Sequence, residues 1–211
     1  LKSLWDMVGF DHVSVRTDQA LSGGGWKLLA DAAAQNGEFN PKISGEAEKV
    51  AGELRHVLGR VYEDRVEPGN FTTDVSCERV GEKDGHLVEV EVHLSREVDL
   101  GEVKEWMRST SNRPQHLSLP SAPKPPVVII DGIPNRCDHL WMGSELLAAD
   151  SPDTDPSRDL KAGMGVTVGA MEMLTPKTLR FTALSHNTIR GAAGGSILLA
   201  ELALAEGVIG G

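Results

Sequence analysis

With 211 residues, 40% of them hydrophobic and 25% charged, the chain is long enough to bury a real core and too apolar to be disordered. A formal net charge of −10 excludes a nucleic-acid binder that neutralises phosphates with a basic surface, while leaving small anions open to local positive charge. Two cysteines, Cys77 and Cys137, make no disulfide framework and no metal-ligand spacing, which fits a cytoplasmic setting, and no apolar run is long enough to span a membrane.

The chain starts Leu1-Lys2-Ser3-Leu4-Trp5, without a methionine and already inside a helical pattern, as a domain cut from a longer protein would. Leu1, Leu4, Trp5 and Val8 have helical spacing, with Gly9 as the stop. Val13, Val15 and Thr17 then alternate with Ser14, Arg16 and Asp18 as a strand leading to Gln19. The run Gly23-Gly24-Gly25 marks a loop where backbone bends sharply or approaches something closely. It lacks the Lys and Ser/Thr of a phosphate-binding P-loop. Gln19 can position a ligand through its amide, and a flexible connection explains the loop equally well. Ser44 is a fair N-cap for a helix over residues 46–58, with Ala47, Val50, Ala51, Leu54, Val57 and Leu58 on one face. Glu46, Lys49, Glu53 and His56 take the other face, where Glu46 and Lys49 read alone as an ordinary surface ion pair.

Residues 71–76 read as a strand, and Val88, Val90, Val92 and Leu94 alternate with Glu89, Glu91 and His93 in another. The polar turn between them, with Gly81 and Asp84-Gly85, predicts a β-hairpin. Parity puts Arg79 on the face of Val75 and Cys77, and His86 on the face of Val88 and Val90. Both polar side chains then end apolar faces, where a buried Arg or His needs a partner. Such a pair suits an anionic substrate and proton transfer. A rim Arg and an idle His on a solvated turn is the plainer reading of the same residues.

Asp99 and Glu102 form a capping-box-like pair ahead of Val103, Trp106 and Met107, a short helix. Residues 109–126 are a Pro-, Ser- and Asn-rich connection, residues 127–130 a short apolar strand, and residues 135–157 carry no clear pattern. Two more strands fall at residues 164–173 and 179–184. The end begins with the small-residue run Arg190-Gly191-Ala192-Ala193-Gly194-Gly195 and continues as an Ala/Leu helix. This pattern predicts an α+β, mixed α/β fold with helices on one face of the sheet.

Six blocks occur in order: Gln19-Ala20-Leu21-Ser22-Gly23-Gly24-Gly25, Ile43-Ser44-Gly45-Glu46-Ala47-Glu48-Lys49, Cys77-Glu78-Arg79-Val80 through Asp84-Gly85-His86, Leu119-Pro120-Ser121-Ala122-Pro123, Gly163-Met164-Gly165-Val166-Thr167-Val168-Gly169, and His186-Asn187-Thr188-Ile189-Arg190-Gly191-Ala192-Ala193. Together they resemble the aspartate-semialdehyde dehydrogenase family, in the branch typical of archaea and fungi. The resemblance implies the second part of a two-part enzyme, with a largely antiparallel or mixed sheet like the C-terminal domain of glyceraldehyde-3-phosphate dehydrogenase. An NADP-binding Rossmann domain would precede it. Residues 1–186 would be the catalytic and dimerisation domain, and residues 187–211 a C-terminal helix that packs on that missing domain.

Family enzymes reduce β-aspartyl phosphate to aspartate semialdehyde through a cysteine thioester with NADPH, toward lysine, methionine and threonine. Carried over by position, His86 would be the acid/base group and Gln19 would orient the acyl-enzyme. Arg79 would grip the substrate carboxylate, Glu46 the substrate amino group and Lys49 the phosphate. Asn187 resembles the residue that holds the nicotinamide amide of NADP. The expected partners are the small-molecule substrate and a second copy of the chain, as homodimer or homotetramer, with no nucleic acid and no membrane. The nucleophilic cysteine and the dinucleotide glycine loop fall outside this chain, and neither Cys77 nor Cys137 sits where the family has its nucleophile. The segment from Arg136 to Trp141 stands where the family has a Pro-Gln-Pro-Arg-like stretch, and Leu87 follows His86 where a Thr is common. A malonyl- or succinyl-CoA reductase on the same scaffold, or a non-catalytic dimerisation fragment, are the alternatives.

Overall fold

The computed structural model describes residues 1–34, 38–144 and 158–210. Six strands build one mixed sheet: β1 (Phe10–Gln19), β4 (Thr72–Arg79), β5 (His86–Leu94), β6 (Val127–Ile129), β7 (Val166–Thr175) and β8 (Thr178–Ser185), in the order β4-β1-β5-β8-β7-β6. A two-stranded ribbon, β2 (Arg60–Val61) with β3 (Val66–Glu67), stands apart from it. The helices are α1 (Lys2–Met7), α2 (Gly25–Ala34), α3 (Glu46–Val57), α4 (Leu100–Arg108), α5 (Arg113–His116), α6 (Arg136–His139) and α7 (Gly194–Ala205). The sheet is mixed, as expected: the outer pairs β1/β4 and β6/β7 are parallel and the inner pairs antiparallel.

Residues 71–94 do not form the hairpin that alternation and turn composition predict. β4 pairs in parallel with β1, Gln19 opposite Arg79, while β5 pairs antiparallel with the other side of β1, Val15 opposite Val90. The connection over residues 80–85 therefore straddles the end of β1. Two strand spacings are about 10 Å, which six extended residues cover easily. Period-two alternation fixes which side chains share a face, but not which strand lies alongside.

Parity holds along β4, β5 and β8 and on β1 from Val13 onward, while bulges reset it at the start of β1, where Phe10 also turns inward, and within β7. Val13, Val15, Val90, Val92, Leu94, Leu179 and Phe181 turn to one face and bury against Leu4 of α1 and Val103 and Met107 of α4. Trp5, Phe10 and Phe71 close one end of this core in mutual edge-to-face contacts, with centroids 4.8–5.1 Å apart. Each fully buried aliphatic or aromatic side chain there stabilises the fold by about 1.5–3 kcal/mol relative to exposure. The opposite face carries Ser14, Arg16, Glu89, Glu91, Arg180 and Thr182, and forms an open trough of about 680 Å³. Arg180 and Glu91, side by side across β8 and β5, pair there at 3.1 Å.

The capping box before α4 is present: the Asp99 side chain accepts from the Glu102 amide, and Glu102 accepts from the Asp99 amide. The cap of α3 is not Ser44. Gly45 takes that position at φ 75°, a left-handed conformation that glycine adopts without steric cost and serine does not. α3 lies mainly against the edge strand β4, and Val57 stays 73% exposed. The glycine run 23–25 is also more structured than a loop. Leu21–Gly24 form a 3₁₀ turn that leads straight into α2, whose Trp26-Lys27-Leu28-Leu29-Ala30 start favours helix.

After β8 the chain makes a π-turn over Ile189–Ala193 and enters α7. Leu198 packs on Leu119, Ala122 and Met164, and Glu201 accepts from the Ser121 amide and hydroxyl. Ile197, Leu199 and Leu204 on the same helix remain 46–66% exposed, so apolar side chains surround α7 on more than its packed side.

Candidate active site

Because β4 runs with β1 and β5 runs against it, the last residues of β4 and β1 and the first residue of β5 meet at one sheet edge. Arg79, Gln19 and His86 occupy those three positions, all on the core-facing side. The straddling connection then folds over β1 onto the 3₁₀ turn. The Leu21 amide donates to the Glu82 carbonyl at 2.8 Å and the Ser22 amide to the Lys83 carbonyl at 3.0 Å. Two segments some sixty residues apart are thereby zipped into one wall.

Ala20 is the hub of this wall. Its carbonyl accepts from Arg79 Nη1 at 2.8 Å, and its N–H donates to His86 Nδ1 at 3.2 Å. Gly23 passes directly over both side chains: a Cβ there would lie 2.9 Å from Arg79 Nη1 and from His86 Cε1. Only a glycine fits this approach without displacing one of them. The Val80 amide returns to the Gln19 carbonyl at 3.0 Å, locking the strand ends.

The amide of Gln19, 7% exposed, donates to Glu46 Oε1 at 3.4 Å, which brings the start of α3 onto the site. Lys49 lies one step further out, 3.7 Å from Glu46 and 4.0 Å from Glu53. Arg79 is 9% exposed; burial disfavours its charge and Glu46 supports it. His86 is pushed down to about 4, first by burial and then by the charges of Arg79 and Arg136, with Glu46 opposing. Its imidazole is therefore neutral near pH 7. Because Nδ1 accepts the Ala20 N–H, the ring proton is assigned to Nε2. The free edge of the ring is a hydrogen-bond donor.

The structure thus brings together Gln19, Glu46, Arg79 and His86, with Lys49 at the rim. Asn187 is also at this edge, but as a bolt: its Oδ1 accepts from the Gly85 amide and its Nδ2 donates to Ser22 Oγ, both at 2.8 Å. Arg136 was not legible as a site residue. It sits at the start of α6 and donates from Nε to the Gly85 carbonyl at 3.0 Å, one residue before His86. No spacing in the sequence ties it to the site, since it stands fifty positions after His86, with two strands and two helices between. The neighbouring His186 is 2% exposed, edge-to-face with Trp141 at 4.5 Å between ring centroids and bonded to Thr188; burial holds it below its usual range. Cys77 is half-buried on the edge strand and Cys137 is exposed. Among the described residues, no cluster of His, Cys, Asp and Glu could hold a metal.

Residues 1–190 match the family model described as semialdehyde dehydrogenase, dimerisation domain. The chain belongs to that family of oxidoreductases, in its dimerisation domain. It is 37% identical over 204 residues to the aspartate-semialdehyde dehydrogenase of Methanothermobacter thermautotrophicus, covering 96% of this chain and 54% of that one. It is 32% identical over 201 residues to the malonyl CoA reductase (NADP) of Metallosphaera sedula, covering 93% and 52%. Among solved structures, the aspartate semialdehyde dehydrogenase of Candida albicans with NADP superposes with a TM-score of 0.71 at 28% identity, over 98% of this chain and 54% of that one. The resemblance to archaeal and fungal aspartate-semialdehyde dehydrogenases holds, and the chain spans about half the length of the curated relatives it matches.

Proposed function

We propose that this chain is the catalytic and dimerisation part of an NADP-dependent aspartate-semialdehyde dehydrogenase, reducing β-aspartyl phosphate to aspartate semialdehyde in the cytoplasm. The observation that carries the reading is the hub at Ala20, which holds Arg79 and a neutral His86 side by side beneath Gly23, with Glu46 against them. Arg79 spends one N–H on the Ala20 carbonyl and keeps the rest of its fork for the substrate carboxylate. Glu46, drawn in by Gln19, takes the substrate amino group, and Lys49 takes the phosphate. The Gln19 amide orients the acyl group. The Nε2–H of His86 donates to the acyl oxygen as negative charge develops there, when a cysteine thiolate from the remainder of a longer protein attacks and phosphate leaves.

NADPH would supply the hydride when bound. The residues here that suit it are Asn187 and the small side chains that follow Arg190. The Asn187 Nδ2 is bonded to a serine hydroxyl, which can turn to other partners, so the fit requires no rupture of the backbone wall. α7 leaves Ile197, Leu199 and Leu204 exposed, which supports the last 25 residues as the segment that packs on an N-terminal cofactor domain. The open sheet face, bearing Arg16, Glu89, Glu91 and Arg180, supports a self-complementary contact with a second copy in a homodimer or homotetramer.

The similarity to a malonyl CoA reductase favours a second reading, in which the substrate is a CoA thioester. That substrate has no amino group for Glu46. The test is Glu46→Gln in the natural full-length protein, where the aspartyl reading predicts a loss of roughly 10²-fold in kcat/KM, the scale of a lost charge-assisted contact. An unchanged kcat/KM for aspartate semialdehyde would set the aspartyl reading aside.

A further inference from the structure

Arg136 reaches from α6 to the peptide that enters His86. Its Nε donates to the Gly85 carbonyl at 3.0 Å, and a Cβ on Gly85 would lie 3.3 Å from its Cγ, so the side chain lies along that backbone. The amide side of Gly85 is held at the same time, by Asn187 Oδ1 at 2.8 Å. Asn187 in turn holds Ser22, and Ser22 is zipped to Lys83. Gly85 itself has φ 93°, so no other residue could take this turn as easily.

One nitrogen of Arg136 stands out. Its Nη2 is sealed from solvent with no hydrogen-bond partner, a condition it shares among the described residues only with Asp18 Oδ1. A buried donor left unpaired is costly, the more so when it is charged. Bracing the Gly85 carbonyl alone does not require that cost, because a neutral amide could do it. What the guanidinium adds is a fixed positive charge next to the imidazole.

We propose that Arg136 is a positioning residue for the dehydrogenase chemistry: it fixes the peptide leading into His86 and, together with Arg79, holds the imidazole among guanidinium charges as a hydrogen-bond donor. This rests on the function proposed above. The charged groups that act on His86 come from three elements: Arg79 from β4, Arg136 from α6 and Glu46 from α3. Its partner on β8 is the uncharged Ser185. Asp84, in the same connection, acts on His186, and Lys49 is tied to Glu46 and Glu53. Burial first, and then two cations against one carboxylate, keep the imidazole uncharged, and the Ala20 N–H on Nδ1 keeps the remaining proton on Nε2. Losing the Arg136 charge therefore shifts His86 back toward its ordinary value.

The experiment follows His86 by NMR in the natural full-length protein, its signal identified by loss in His86→Gln, in wild type, Arg136→Gln and Arg136→Lys. Arg136→Gln should raise the His86 midpoint by roughly one pH unit and move the acid limb of kcat/KM with it. Arg136→Lys, which keeps the charge but not the fork, should leave the midpoint within about 0.3 unit while kcat falls roughly tenfold. A midpoint unmoved in Arg136→Gln overturns the proposal. So does a midpoint that rises in Arg136→Lys by a full unit, and this arm stands alone if Arg136→Gln does not fold. The titration needs no substrate, so a wild-type protein without dehydrogenase turnover overturns the functional reading while the midpoint still decides the role of Arg136.

Discussion

The backbone N–H of Ala20 donates to Nδ1 of His86 at 3.2 Å across 66 residues of chain. That one contact decides which ring nitrogen carries the proton, and so makes the imidazole a donor at Nε2 and not a base. Ala20 has φ −65° and ψ 156°, values a proline shares, so Ala20→Pro deletes the donor without backbone strain. Ala20 is fully buried, and the added ring atoms are expected to destabilise the fold by about 1–3 kcal/mol. The prediction is a loss of roughly tenfold or more in kcat/KM, with ¹⁵N shifts of His86 showing a mixture of tautomers in place of one.

Gly23→Ala tests the close approach over the site. The added methyl lies 2.9 Å from Arg79 Nη1, which is bonded, and from His86 Cε1, which sits on a tethered ring, so neither yields freely. The backbone at Gly23 is not left-handed, so the fold itself is expected to lose no more than about 1–2 kcal/mol. Activity is expected to fall by roughly 10²-fold, the cost of displacing catalytic groups by about an ångström. Urea unfolding beside steady-state kinetics separates the two effects.

Much of this edge was legible in the sequence. Alternation on β4 and β5 gave the inward faces of Arg79 and His86, and parity is a local property of extended backbone. What lay beyond reach was pairing: β1 inserts between the two strands, so the expected hairpin is a straddling connection. The same limit hid Arg136, whose contact with Gly85 exists only because α6 folds back beneath the connection. Residue type points to Ser44 as the helix cap, where the left-handed turn at Gly45 decides instead. Asn187 was expected at the cofactor, and its amide here joins Gly85 to Ser22. Of residues 135–157, which carry no clear pattern in the sequence, 145–157 lie outside the described residues.

Acid should destabilise the fold through His86. Its value falls from 6.5 in the unfolded chain to about 4 in the folded one, so between these pH values the unfolded chain binds the extra proton. Stability from this group is therefore full above about pH 6.5 and is lost as pH falls toward 4. His186, also held down by burial, acts with the same sign. Urea midpoints measured from pH 7 to pH 4 should drop more steeply in wild type than in His86→Gln.

The core face should tolerate little. Leu4 is fully buried against the sheet, and Leu4→Ala is expected to cost about 2–5 kcal/mol, read as a lower urea midpoint.

The most direct test of the central claim is substrate choice by the natural full-length protein. The account predicts phosphate-dependent reduction of NADP with aspartate semialdehyde, abolished or reduced by roughly 10²-fold or more in Arg79→Lys, which cannot form the two-pronged grip. Turnover of malonyl-CoA or succinyl-CoA with NADPH, with no phosphate-dependent reaction of aspartate semialdehyde, would contradict it.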